Sequence, residues 1–117
     1  MLPHASGYVM ERGNVVHGAL GVPWGITLNY NNPATGEAFT FIAQPASAVS
    51  PWCATTSSTQ PLNGRNVCLY TYTAGGNASF LASGVRYSVS PVFASPAATP
   101  AAAMLDARML AVVATVR

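Results

Sequence analysis

Residues 24–30 read Trp-Gly-Ile-Thr-Leu-Asn-Tyr, so Trp24, Ile26, Leu28 and Tyr30 share one face of an extended chain. The polar stretch Asn31, Asn32, Pro33, Ala34, Thr35, Gly36 follows, and then a second extended run over 38–43. Two such runs around a glycine-ended loop predict a β-hairpin. The same punctuation recurs along the chain. Residues 8–12 and 14–20 read as strands divided at Gly13-Asn14, and 66–73 as a strand rich in β-branched and aromatic side chains. Gly75, Gly76 and Asn77 predict a turn into 79–82. Ser83-Gly84 then leads into 85–93, where Val85, Tyr87 and Val89 alternate with Arg86, Ser88 and Ser90.

Three stretches break this pattern. Residues 44–64 carry Pro45, Pro51 and Pro61 and a Thr/Ser tract over 55–59, and predict a long loop pinned by Val49 and Trp52. Residues 95–103 are almost all proline and alanine and predict an extended arm. At the C-terminus, Leu105, Met109, Val112, Val113 and Val116 have helical spacing, but the run is short and β-branched, which favours a strand over 108–116. Six to eight short strands in one small domain predict an all-β fold, a single β-sandwich or a partly open β-barrel spanning 1–117. Residues 1–7 form its N-terminal arm, 44–64 its long loop and 95–103 its second arm.

Charge constrains function more than any motif does. The chain has five arginines, no lysine and three acids (Glu11, Glu37, Asp106), so 7% of its residues are charged. An ordinary soluble domain has about 25%. A sparsely charged surface with small net charge promotes association, so the expected state is an assembly component, a homo-oligomer or part of a larger particle. The five arginines are scattered, without the basic stripe of a nucleic-acid binder, so no direct nucleic-acid contact is expected. The most apolar run, 109–116, is eight residues long, far below the ~20 of a membrane-spanning helix. Residues 1–7 lack a basic region followed by an apolar core and do not read as a signal peptide.

The reactive inventory is thin. His4, His17, Glu11, Glu37 and Asp106 show no metal-ligand spacing, and no serine lies in a G-x-S-x-G turn. Without lysine there is no phosphate-binding P-loop, and no G-x-G-x-x-G is present. The expectation is no enzyme, with no catalytic, metal or cofactor residues. Cys53 and Cys68 have two readings, a disulfide or two reduced, buried thiols. Without an export signal the reduced pair is the expectation. Tyr70, Tyr72 and Tyr87 could form a stacking platform for sugars, set against the ordinary role of strand aromatics as core.

In its low charge, its Ala/Gly/Ser/Thr/Pro richness and its layout of a β domain with arms, the chain resembles the small capsid-decorating (cement) proteins of tailed bacteriophages. That resemblance implies a virion protein, assembled in the host cytoplasm, that bridges major capsid protein subunits without cofactor or membrane. Leu2, Pro3, His4, Pro96 and Pro100 are then expected in interface arms, and removal of residues 1–7 should weaken assembly more than folding. The alternative is a receptor- or carbohydrate-binding module of a tail fibre or adhesin, using the three tyrosines.

Overall fold

The computed structural model describes residues 1–17, 23–48, 52–53, 57–72, 75–93 and 102–117. Seven strands form one antiparallel sheet: β1 (Val9–His17), β2 (Pro23–Asn31), β3 (Ala38–Pro45), β4 (Ser58–Leu62), β5 (Arg65–Tyr72), β6 (Gly75–Ala82) and β7 (Val85–Val92). Among the described residues one α-helix, α1 (Ala102–Val113), follows them, and a short 3-10 turn over Ala46–Ala48 follows β3. The spatial order is β1-β2-β3-β7-β6-β5-β4. Two meanders, β1 to β3 and β4 to β7, therefore meet where β3 pairs with β7. The all-β expectation holds, and the sheet is open, with β1 and β4 at its edges.

The register explains why the sequence alternates as it does. One transverse row runs Gly13, Leu28, Phe41, Val89, Ala78, Leu69, Ser58 across all seven strands, and its central members are the core. The next row runs Asn14, Thr27, Ile42, Ser88, Ser79, Cys68, Thr59, so all but two of its side chains are amide or hydroxyl groups. Successive residues of a strand face opposite sides, so one face is apolar and the other predominantly polar.

Helix α1 covers the apolar face over β5, β6 and β7. Met109, Val112, Val113 and the following Val116 are buried against Phe39, Phe41, Val67, Phe80 and Val89, and Leu105 is buried as well. This corrects the strand expected over 108–116. Apart from Asp106, the first two turns are alanine, leucine, methionine and arginine, all strong helix formers, and the i, i+4 apolar spacing decides against the two valines at the end. The helix is also fastened by both of its charged residues. Asp106 accepts a hydrogen bond from the Thr71 hydroxyl on β5, and Arg108 pairs with Glu37 before β3.

Other boundaries also shift. Gly13-Asn14 does not divide two strands; β1 runs through it, irregular between Met10 and Arg12. The expected loop over 44–64 contains β4, whose hairpin to β5 turns at Asn63 (φ 51°) and Gly64 (φ 77°). Positive φ at both turn positions is the type I′ geometry that Asn-Gly favours. Gly75, Gly76 and Asn77 lie inside β6 rather than in a turn. Gly76 belongs there because a Cβ would sit 2.9 Å from the Met109 Cε and 3.0 Å from the Tyr70 carbonyl oxygen. Val49 and most of the 95–103 arm lie outside the described residues; Ala102 and Ala103 open α1.

Candidate functional site

Residues 1–7 are not a free arm. Leu2 and Arg117 exchange both backbone hydrogen bonds at 3.0 Å, and the His4 amide donates to the Thr115 hydroxyl at 3.1 Å. Pro3 is buried, so Leu2, Pro3 and His4 lie along the C-terminal residues. Pro96 and Pro100 lie outside the described residues.

Cys53 and Cys68 form a disulfide, with Cα atoms 5.7 Å apart, which corrects the reduced pair. Cys68 is on the polar face, so the bond anchors the β3–β4 connection to that face.

The tyrosine platform does not assemble. Tyr87 lies on the helix side between Phe41 and Phe80, with ring centroids at 5.9 and 5.3 Å. Tyr70, two residues before Tyr72 on β5, is exposed on the opposite face. The Tyr72 side chain lies outside the described residues. On the polar face Arg86 donates from Nη2 to Asn77 Oδ1 and Ser79 Oγ, both at 3.4 Å, and Asn77 donates to Ser90 at 3.1 Å. Burial pushes the Arg86 guanidinium below its ordinary value, and its Nε and the Ser88 hydroxyl are buried without a partner.

Two features do stand out. The first is β1. Every described side chain along it is exposed, on both faces of the sheet, including Val9 (52%), Met10 (56%) and Val15 (52%). Helix α1 packs mainly on β5, β6 and β7, and β2 meets the core through Leu28 and Tyr30, whereas no described residue of β1 packs on it, so β1 projects beyond the core as a wing. Strand β1 contains no proline or lysine; Glu11, Arg12 and the irregular steps between Met10 and Arg12 and between Val16 and His17 are what blunt its edge.

The second is a cleft of about 330 Å³ between α1, the start of β3 and the end of β7. Phe39, Val89, Met109 and Val112, all buried, form its apolar floor, and Pro91 and Phe93 wall one side. Its rim is built by two turns. The loop after β2 closes through Asn32, which accepts from the Gly36 amide and donates to the Glu37 carbonyl, both at 2.8 Å. Asn32 Oδ1 also accepts from the Ala34 amide, and Gly36 supplies the left-handed φ of 74°. At the N-terminus a turn joins the Ala5 carbonyl to the Tyr8 amide, with Gly7 at φ 85°.

These turns bring Tyr8 and Glu37 together. Tyr8 donates its hydroxyl to Glu37 Oε2 at 3.0 Å, and Arg108 Nη2 lies 3.2 Å from Glu37 Oε1. The Tyr8 ring leans on Phe39 (5.0 Å), which stacks on Tyr30 (4.8 Å). Burial raises the Tyr8 phenol above its ordinary value; the Glu37 hydrogen bond and charge push the same way, and Arg108 opposes them. Nothing local in the sequence signals this trio, whose members come from the N-terminus, a hairpin loop and the helix.

Among the described residues no three His, Cys, Asp or Glu side chains are grouped to hold a metal ion. No described helix is long and apolar enough to cross a membrane. Comparison of the chain with protein-family models, with curated proteins and with solved structures finds no match.

Proposed function

We propose that this chain is a structural subunit of a virion, a capsid-decorating protein that bridges neighbouring major capsid protein subunits. The observation that carries the reading is β1, a nine-residue strand with every described side chain exposed. Ordering a residue costs roughly 1–2 kcal/mol of backbone entropy, and among the described strands β1 offsets this by pairing with β2. A neighbour laid on its edge or faces would bury Val9, Met10 and Val15 and complete the open ladder, as extended segments do at exposed sheet edges. The scarcity of charge fits the same picture, because the surface relies on covering subunits for shielding. In this reading the chain works without cofactor or catalysis, assembles in the host cytoplasm, and closes Cys53–Cys68 once the particle leaves that reducing compartment.

The experiment is addition of the purified protein to undecorated capsids of the parent virus. Binding should saturate at a fixed ratio to the shell protein and raise the particle's melting temperature. Val15→Lys should abolish that binding while leaving the isolated fold within about 0.5 kcal/mol, as exposed substitutions do. A wild-type chain that never binds shells, or a Val15→Lys chain that binds unchanged, overturns the reading. For the carbohydrate-binding alternative, Tyr87 is partly buried between Phe41 and Phe80 on the helix side, across the sheet from the exposed Tyr70, which favours the assembly reading over a shared tyrosine platform.

A further inference from the structure

The cleft beside α1 is absorbed by neither the core nor the assembly reading. An engineered apolar cavity of about 150 Å³ is enough to hold benzene, so 330 Å³ is ample for one substituted ring. Its floor is made of buried Phe39, Val89, Met109 and Val112, while its rim carries a carboxylate and a guanidinium. Those rim groups are already paired, and the pairing decides what a ligand's head can be.

Glu37 accepts one hydrogen bond from Tyr8 on Oε2 and is ion-paired with Arg108 through Oε1, which leaves further lone pairs on both oxygens. Arg108 spends one nitrogen on Glu37 and keeps other N–H donors. An anionic head would compete with Glu37 for Arg108 and would face a carboxylate. A cationic head would satisfy Glu37 but sit against the guanidinium. An uncharged hydroxyl suits both, donating to Glu37 and accepting from Arg108 without separating them.

The geometry points to a binding site for an uncharged, ring-sized amphiphile: an apolar body on Phe39, Val89, Met109 and Val112, and a hydroxyl head between Glu37 and Arg108. A phenol has this chemistry, free or as a tyrosine side chain. The site requires no assembled particle, so it stands or falls independently of the decoration reading.

The test uses the full, isolated chain and three probes of one shape: p-cresol, toluene and 4-methylbenzoate. Titrations are followed by amide chemical shifts of Glu37, Phe39 and Met109. Saturable shifts are expected with p-cresol. Toluene should bind about tenfold more weakly, because hydrogen bonds to charged groups are the stronger kind, and 4-methylbenzoate should be no better than toluene. Pro91→Trp, on the cleft wall and on the same side of β7 as Val89, should abolish p-cresol binding while the other amide shifts keep the pattern of the folded chain. Glu37→Ala should bring p-cresol down to the toluene level. No saturable shift with p-cresol, equal or tighter binding of 4-methylbenzoate, or p-cresol binding indifferent to Pro91→Trp overturns the site. If the phenol must come from a protein, a tyrosine-containing peptide will compete with p-cresol and its phenylalanine analogue will not. Competition by neither leaves the free small molecule as the occupant.

Discussion

Glu37 Oε2 accepts the Tyr8 hydroxyl at 3.0 Å while its other oxygen pairs with Arg108. One carboxylate thus joins the N-terminal turn, the β2–β3 loop and the helix. Its consequence for alkaline stability has a definite sign. The Tyr8 phenol is raised in the folded chain, first by burial and then by Glu37, and Tyr30 is raised by burial. Below the ordinary tyrosine value of about 10 both states hold the proton and this contribution is fully present. As pH climbs past that value the unfolded chain releases protons first, so stability falls until the folded phenols ionise. Denaturant midpoints measured between pH 8 and 12, on the order of that range, should therefore decline. Tyr8→Phe should make the decline shallower. A slope unchanged in Tyr8→Phe contradicts the assignment.

The Cys53–Cys68 bond closes a segment with a sequence separation of 15. Restriction of the unfolded chain by a loop of this length is worth about 3 kcal/mol. The Cys53→Ser/Cys68→Ser double variant should lose about that much in urea unfolding, and reduction of the wild type should match it. A double variant as stable as the oxidised chain would show that the cross-link is idle.

A side chain at Gly76 would be crowded from two sides. A methyl group there would meet the Tyr70 carbonyl oxygen at 3.0 Å, and backbone cannot retreat as the Met109 tip can. Gly76→Ala should destabilise by roughly 1–3 kcal/mol, the usual cost of overpacking. Pairing it with Met109→Leu should recover only part of that loss. Full recovery would mean that Met109, not the strand, is the obstacle.

Removal of residues 1–7 should now damage the isolated fold itself. It deletes the reciprocal Leu2–Arg117 bonds, the His4–Thr115 bond and the buried Pro3. At about 0.5–1.5 kcal/mol per net hydrogen bond, the loss should exceed about 1 kcal/mol in the lone chain. An unchanged midpoint would restore the free-arm expectation.

The strands with alternating side chains were legible from residue order: β2, β3, β5 and β7 appear close to where the pattern puts them. Strand β4 was hidden because Pro61 and the Thr/Ser tract read as loop, although Asn63-Gly64 is itself the strongest short hairpin signal. Gly75 and Gly76 misled in the opposite direction, since a glycine demanded by close helix packing looks the same as one demanded by a turn. The C-terminal helix was a contest between spacing and β-branching that only the sheet beneath it decides. Of the cleft, nothing was legible: Tyr8, Glu37 and Arg108 meet only through tertiary folding. The exposure of β1 was equally invisible, because Val9, Met10 and Val15 read as ordinary strand residues until the helix is seen to fall short of them.

The wing of β1 sets a gradient of local opening across the molecule. Its amides are held by one ladder and little side-chain burial, so they should exchange with solvent deuterium by peeling away from β2, well before β5, β6 and β7 let go in global unfolding. Whatever docks on that wing would flatten the gradient, which makes the protection of β1 a direct gauge of occupancy.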